Sequence, residues 1–438
     1  MFNNFFGQFM FKFLTVVFSI WMGISTFSLA VNKELPSAPD DFTPVVRFAV
    51  TSDVHLNGDP DQAAAKKLAD LFTDCYAYAE GENYKSLDAV VVVGDYATNG
   101  KPVEYELFNE IVAENIREGT EIIAPLGNHE FIAYRDVDAS VAYDVYKEYI
   151  NENVDLHLVI NGYHFISCSY SEDGKTFTSK REWLKTELDS ATKENPDMPV
   201  FVFQHPQPFG TVYGSVNWGD LTVKGVYDAY PQVIDFSGHS HYANSDPRSI
   251  WQGTFTAVGT GSLSALMSNL NYISGDEDAP GESGAFWIVE ADKDGNVRLK
   301  LYDVVSHRFF EKNDYYLSDV TDKSAHRYTW GNLKSLDTAP QFPESAKTEA
   351  QKDDEGNTLL VFPKAEGYWE AEDYKITVKS GNSEVFAQTV VSNYVRADAE
   401  DMSVNIGSIE AGKYTVSVLP VSPYAKEGKT LKGEITVQ

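Results

Sequence analysis

Apolar runs and helical stripes alternate along much of the chain. Val45–Ser52 is a β-rich apolar run. Leu87–Val93 is apolar apart from Asp88 and is bounded by turn residues, as expected of a strand buried on both faces. Between them, Asp59–Glu80 carries Leu68, Leu71, Phe72 and Cys75 at helical spacing. A second helix is predicted over Val103–Glu118, a strand over Glu121–Leu126 and a helix over Ala139–Asn151. His157–Asn161 and Tyr163–Ser169 read as strands split by Asn161-Gly162, a hairpin signal. Ser179–Lys193 predicts another helix, and Pro199–Gln204 and Gln232–Ser237 predict short strands. Beyond Trp251 no further helix is predicted. Gly253–Gly259, Ala285–Ala291 and Asn296–Val305 alternate like an antiparallel sheet. The order predicts an α/β fold of two packed mixed sheets flanked by helices.

The pattern breaks over Ser306–Pro343, a polar stretch with scattered aromatics. After it, Thr358–Pro363, Asp373–Ser380, Glu384–Val391, Asp401–Ile406, Gly412–Leu419 and Lys432–Gln438 alternate between turn signals. That spacing predicts a small all-β sandwich. The expected organisation is a targeting segment at 1–30, a Pro-containing linker at 31–44 and a first domain at 45–306. An extension at 307–343 and the sandwich at 344–438 would follow.

The N-terminus adds a compartment. Lys12 precedes an uncharged, mostly apolar stretch, and Ser28-Leu29-Ala30 offers the small residues of a signal-peptidase site. The alternative is an uncleaved membrane anchor, since a spanning helix needs about 20 apolar residues. Either way the remainder is expected to be exported, as a secreted, periplasmic or cell-surface protein. Cys75 and Cys168 are the only cysteines among 438 residues. They read as two separate buried thiols, with a single disulfide as the alternative. They cannot form a zinc site alone.

Composition narrows the partners. Hydrophobic residues make up 43%, enough for a sizeable core, and the net charge is −30. That charge disfavours nucleic-acid polymers and anionic membranes. It suits a small ligand, provided something cationic neutralises it locally, and bound metal ions would do so.

The candidate chemistry lies in five short segments. Asp53-Val54-His55, Gly94-Asp95 and Gly127-Asn128-His129-Glu130 each follow an apolar strand. His205 and Gly238-His239-Ser240-His241 follow two more. Five strands thus deliver polar side chains at their C-terminal ends, the edge at which open α/β sheets bind ligands. Carboxylate, imidazole and amide donors without thiolate suit borderline metals. Asp53 and His55 are two apart, so extended backbone would point both to one face, and the same holds for His239 and His241. Each fragment alone is weak, because Asp-x-His and Gly-Asp recur by chance. The ordered set, each after a strand, is specific.

These segments together resemble the signature of the calcineurin-like metallophosphoesterases, and the Gly-Asn-His-Glu and Gly-His-x-His forms are similar to the cyclic-nucleotide phosphodiesterase branch. The resemblance covers about Val45–Val305. The sandwich resembles fibronectin-like or immunoglobulin-like appendages. The first resemblance implies two divalent or trivalent metal ions (Mn, Fe or Zn), hydrolysing a small phosphoester, mono- or diester, by way of a metal-bridging hydroxide. It implies one ion on Asp53, His55, Asp95 and His241, and the other on Asp95, Asn128, His205 and His239. Asp95 would bridge, with one oxygen for each ion. His129 would assist the leaving oxygen, and Glu130 would orient His129 or a ligand, the alternative being an ordinary helix-start carboxylate.

Substrate contacts are less legible. Gln207–Asp220 follows His205 closely and is rich in glycine and aromatics. Phe209, Tyr213 and Trp218 could meet a base or an acyl group, or could pack on the protein itself. Asn99 reads as a phosphate contact or a turn former, and Arg135 as a phosphate contact or a surface charge. His157, His164, His307 and His326 show no partner pattern. The competing reading is an exported surface-binding protein in which the sandwich binds a cell-surface partner and the first domain is an inactive scaffold. A degenerate scaffold would have lost a ligand, and none is lost.

Overall fold

A computed structural model describes residues 34–264, 266–268, 283–399 and 401–438. The expected signal peptide lies outside these residues. No helix among the described residues is long and apolar enough to cross a membrane.

Among the described residues, nineteen strands form four sheets. The first is built on β1 (Pro44–Thr51), β2 (Ala89–Val92) and β3 (Glu121–Ile123), which run parallel. Helices Ala63–Gly81 and Pro102–Asn115 make the crossovers between them. The second sheet starts with the hairpin of β4 (Leu156–Ile160) and β5 (Tyr163–Ser167). Asn161 and Gly162 take φ of 49° and 86°, the left-handed pair that a tight hairpin turn needs. Helix Arg181–Glu194 leads to β6 (Val200–Pro206), which is parallel to β7 (Val233–Gly238). The edge is made by β8 (Ile250–Gln252) and β9 (Thr256–Gly259). The expected antiparallel role of Gly253–Gly259 is half right: β9 is antiparallel to β8 but parallel to β7.

β10 (Ala285–Asp292), β11 (Val297–Asp303) and β12 (Arg308–Leu317) return to the first sheet, with β10 antiparallel to β1. Residues 306–343 are therefore more ordered than their pattern suggests. β12 extends the sheet past residue 306, and helix Trp330–Leu336 follows where no helix was expected. β12 alternates only weakly because polar Asn313 is buried in it and donates to Tyr315 and to the Ser245 carbonyl.

The two large sheets pack face to face. Phe48 of β1 meets the rings of Phe165, Phe201, Phe203 and Phe236 from the second sheet, all tilted or edge-on at 4.9 to 5.9 Å. Trp287 of β10 donates its indole N–H to the Gly259 carbonyl at 2.9 Å, joining the sheets near the ligand edge. Cys75 and Cys168 are free, buried and in separate clusters.

The C-terminal region is all β. β13 (Glu349–Lys352), β14 (Thr358–Pro363) and β17 (Asp401–Asn405) make one sheet. β15 (Asp373–Ser380), β16 (Ser383–Val391), β18 (Gly412–Val421) and β19 (Leu431–Val437) make the other. Leu360 and Phe362 of one pack with Ile376, Val378, Val416 and Val418 of the other, as in a sandwich.

Candidate metal centre

The C-terminal ends of β1, β2, β6 and β7 and the loop after β3 converge at one edge of the packed sheets. The backbone turns there in an unusual way. Asp53, His55, Asp95, His239 and His241 all have φ between 52° and 68°, the left-handed region that side chains with a Cβ rarely occupy. The shared-face expectation for Asp53 and His55 therefore has the wrong cause, because neither residue is extended. For His239 and His241 the outcome differs too: they join different clusters.

Three groups of side chains bring ligand atoms within 4.8 Å of one another: Asp53, His55 and His241; Asp95, His205 and His239; and His55, Asp95 and His129. The closest approaches are His241 Nε2 to Asp53 Oδ1 at 3.0 Å and His205 Nε2 to Asp95 Oδ2 at 2.9 Å. His55 Nε2 and His241 Nε2 lie 3.1 Å apart.

Several contacts fix these atoms. The Asp53 Oδ2 accepts from Ser52 Oγ and from the His239 N–H, which turns Oδ1 inward. The Asp95 Oδ1 accepts the His129 N–H at 2.8 Å. The Val93 carbonyl accepts from His205 Nδ1 at 2.8 Å, and the Thr98 carbonyl accepts from His129 Nδ1 at 2.8 Å. Each contact sets the tautomer and leaves Nε2 facing the centre. These anchors are backbone carbonyls, so no residue type in the sequence marks them.

Glu130 is fully buried and accepts three backbone N–H groups, from Asp95, Ala97 and Gly127. It orients the loop of a candidate ligand, Asp95, rather than the His129 ring. Burial, reinforced by the Asp95 charge, pushes its carboxyl up to about 8.

Whether metal ions fit can be judged from what the buried atoms lack. Asn128 Oδ1 is buried without a hydrogen-bond partner, while the buried Asp53 Oδ1 and His205 Nε2 meet only other members of the cluster, His241 at 3.0 Å and Asp95 at 2.9 Å. An orphaned buried polar atom costs about 1–3 kcal/mol, so Asn128 Oδ1 calls for a partner that no described side chain supplies. Burial lowers His55 and His239 to about 4, keeping both neutral with lone pairs available. Burial acts against His205 as well, but Asp95 and Asp53 outweigh it and raise it to about 10. Burial also opposes ionisation of Asp53, yet His241 and His205 pull its carboxyl down to about 2. The set is two carboxylates, imidazoles and one amide, all of which suit a divalent or trivalent cation.

The substrate candidates separate. Trp218 stands at 88° to the His239 ring with centroids 5.6 Å apart, and it is 46% exposed. Asn99 does not reach into the cluster: its amide donates to Glu104 Oε1 and its N–H to Glu104 Oε2, so it shapes the start of helix Pro102–Asn115. Arg135 is exposed just beyond the short turn His129–Phe131, and no contact among the described residues joins it to the cluster. Tyr213 turns away from the cluster, onto Arg248 and Glu372. The remaining histidines do have partners. His157 bridges Glu187 and His164, His307 meets Asp74, and His326 meets the Val320 carbonyl.

Residues 46–243 match the family model for the calcineurin-like phosphoesterases. No curated protein matches the chain. Among solved structures, purple acid phosphatase PPD1 from yellow lupin (Lupinus luteus) seeds is similar at 14% identity and TM-score 0.43, covering 65% of this chain and 56% of that one. The chain thus spans little more than half of the lupin protein. An endo-beta-1,4-mannanase from Thermotoga petrophila is similar at 9% identity and TM-score 0.26, covering 90% of this chain and 98% of that one.

Proposed function

We propose that the chain, whose residues 46–243 match the calcineurin-like phosphoesterase family model, is an exported phosphoester hydrolase working with two metal ions. The observation that carries this reading is the convergence of Asp53, His55 and His241 with Asp95, His205 and His239, beside the buried, unpartnered amide oxygen of Asn128. In this reading Asp53, His55, Asp95 and His241 hold one ion, and Asp95, Asn128, His205 and His239 the other. Asp95 would serve both ions, and its Oδ1 also accepts the His129 N–H. When bound, the ions supply Lewis-acid activation of water and neutralise the phosphate.

The remaining work falls to the chain. A water oxygen forms the new bond to phosphorus while the bond to the ester oxygen breaks. His129, held at Nδ1 by Thr98, presents Nε2 to that departing oxygen and supplies its proton. His129 is partly exposed, as a group that meets substrate must be. Export rests on the apolar N-terminal stretch, and N-terminal sequencing of the mature protein tests it.

The test is hydrolysis of bis(p-nitrophenyl) phosphate by the purified chain with added Mn²⁺. Asp95→Asn and His205→Ala should each remove most activity and lower the bound metal while leaving the circular dichroism spectrum intact. His129→Ala should keep its metal and lose turnover, most for esters with poor leaving groups. Wild-type rates in Asp95→Asn would sink the two-metal reading.

A further inference from the structure

Two faces of the candidate centre differ in what they offer an ester. His129 lies beside His55, with ring centroids 4.4 Å apart. Trp218 lies beside His239, in the group of Asp95 and His205. If the departing arm faces His129, another arm of the same phosphate faces Trp218. A phosphomonoester has no second carbon arm, whereas a phosphodiester has one. Trp218 is 46% exposed, and Val216 and Leu221 beside it are 41% and 68% exposed. An indole with apolar neighbours, open to solvent at the mouth of a polar site, is suited to an aromatic or aliphatic group.

The loop that carries Trp218 is anchored from an unexpected direction. Tyr213 stacks on the Arg248 guanidinium, 3.8 Å from its centroid, and its hydroxyl donates to Glu372 Oε1 at 3.0 Å. Arg248 also pairs with Glu372 at 2.5 Å and with Asp246 at 2.6 Å. Glu372 immediately precedes β15 of the C-terminal sandwich and is buried. From Tyr213 the path to the indole is short. Gly214, at φ 86°, seats against the Tyr242 ring, where a Cβ would come within 2.2 Å. The Gly214 carbonyl then accepts the Trp218 N–H at 3.1 Å. The sandwich therefore grips the turn from which Trp218 projects.

Resting on the hydrolase reading above, we propose that the substrate is a phosphodiester whose non-departing arm is apolar and packs on Trp218, and that Glu372 of the C-terminal sandwich is a positioning residue for Trp218 through Arg248 and Tyr213. The C-terminal region is then part of substrate selection and not only an appendage.

The experiment compares two diesters with the same leaving group, bis(p-nitrophenyl) phosphate and methyl p-nitrophenyl phosphate, on the full chain loaded with Mn²⁺. The ratio of their kcat/KM values reads the second arm alone. Trp218→Ala should reduce that ratio about tenfold, mainly through KM, as expected for the loss of one aromatic contact. Glu372→Ala should reduce it in the same direction, and combining it with Trp218→Ala should add nothing further. Glu372→Gln, which keeps an acceptor for Tyr213, should restore most of the ratio, and metal content should not change in any of these variants. An active wild type whose ratio ignores Trp218→Ala would overturn the substrate class. Additive losses in the double variant, or a Glu372→Ala variant with unchanged ratio, would overturn the positioning role. A metal-loaded wild type inactive on both esters would instead remove the hydrolase reading beneath both.

Discussion

Replacing Gly127 by alanine should disable the centre without unfolding the protein. A Cβ at this position would stand 2.2 Å from Asp95 Oδ1 and 2.6 Å from the Asp95 backbone N. Ordinary contact begins near 3.4 Å, so the carboxylate or the loop must retreat by about 1.2 Å. No flexible side-chain end is available to yield. Asp95 is pinned because its Oδ1 accepts the His129 N–H, its N–H is held by Glu130, and Gly127 itself donates to Glu130 at 2.7 Å. Any retreat disturbs the one carboxylate proposed to serve both ions. A displacement of about 1 Å at a reacting centre can cost on the order of a hundredfold in rate. The expected result is a loss of about a hundredfold in kcat/KM for bis(p-nitrophenyl) phosphate, with bound metal reduced. The cost in stability should be modest, on the order of 1–3 kcal/mol, as for other overpacked sites. Steady-state kinetics, metal analysis and thermal unfolding on one preparation would check all three. Full activity with a full complement of metal would refute the assignment of Asp95 to the centre.

Further outcomes follow from the same geometry. Removing metal with a chelator should lower the unfolding temperature, and Mn²⁺ should restore it. A ligand at a hundred times its Kd stabilises by about 2.7 kcal/mol, and a calorimetric trace without a shift would argue against binding to the folded state. Burial raises the Asp235 carboxyl to about 8, so its contribution to stability is complete below about pH 4 and is lost as pH rises through about 8. Asp235→Asn should therefore gain on wild type across that window, by up to a few kcal/mol, in urea titrations at successive pH values. A constant difference between the two proteins would contradict this. Phe48→Ala, which empties a site walled by four rings, should destabilise by about 3–5 kcal/mol in chemical unfolding. A cost below about 1 kcal/mol would mean that the sheets are not held together there.

Much of the frame was legible because its cause is local. β2 is an uninterrupted apolar run, and the hairpin after β4 carries Asn161-Gly162, the residue pair its turn needs. Which strand ends carry chemistry was also readable, since Asp, Asn and His follow apolar runs in order. How the ligand atoms are aimed was not. The left-handed φ of Asp53 and His55 arises where β1 meets the loop after β2, through the Asp53 N–H to the Gly94 carbonyl and the His55 N–H to the Asp95 carbonyl. Those contacts join segments about forty residues apart, and no local spacing encodes them. β12 was missed for a similar reason, because its polar Asn313 finds partners only in the folded chain. Asn99 and Arg135 looked alike as phosphate contacts in sequence, and only the Glu104 contacts separate a turn former from an exposed cation.

The five left-handed candidate ligands also bear on any attempt to transplant this site. Each bends the chain at the residue that carries the donor atom, so the bend and the donor cannot be assigned to different positions. A left-handed residue with a Cβ costs about 1–2 kcal/mol, and five together approach the whole stability of an ordinary domain. Grafting the same side chains onto regular strands of a neutral scaffold would reproduce the composition and miss the aim of the donors. A host for this chemistry would need to bring its own mutually braced loops, with tightly packed glycines such as Gly94 and Gly127 where they meet, before the first histidine is introduced.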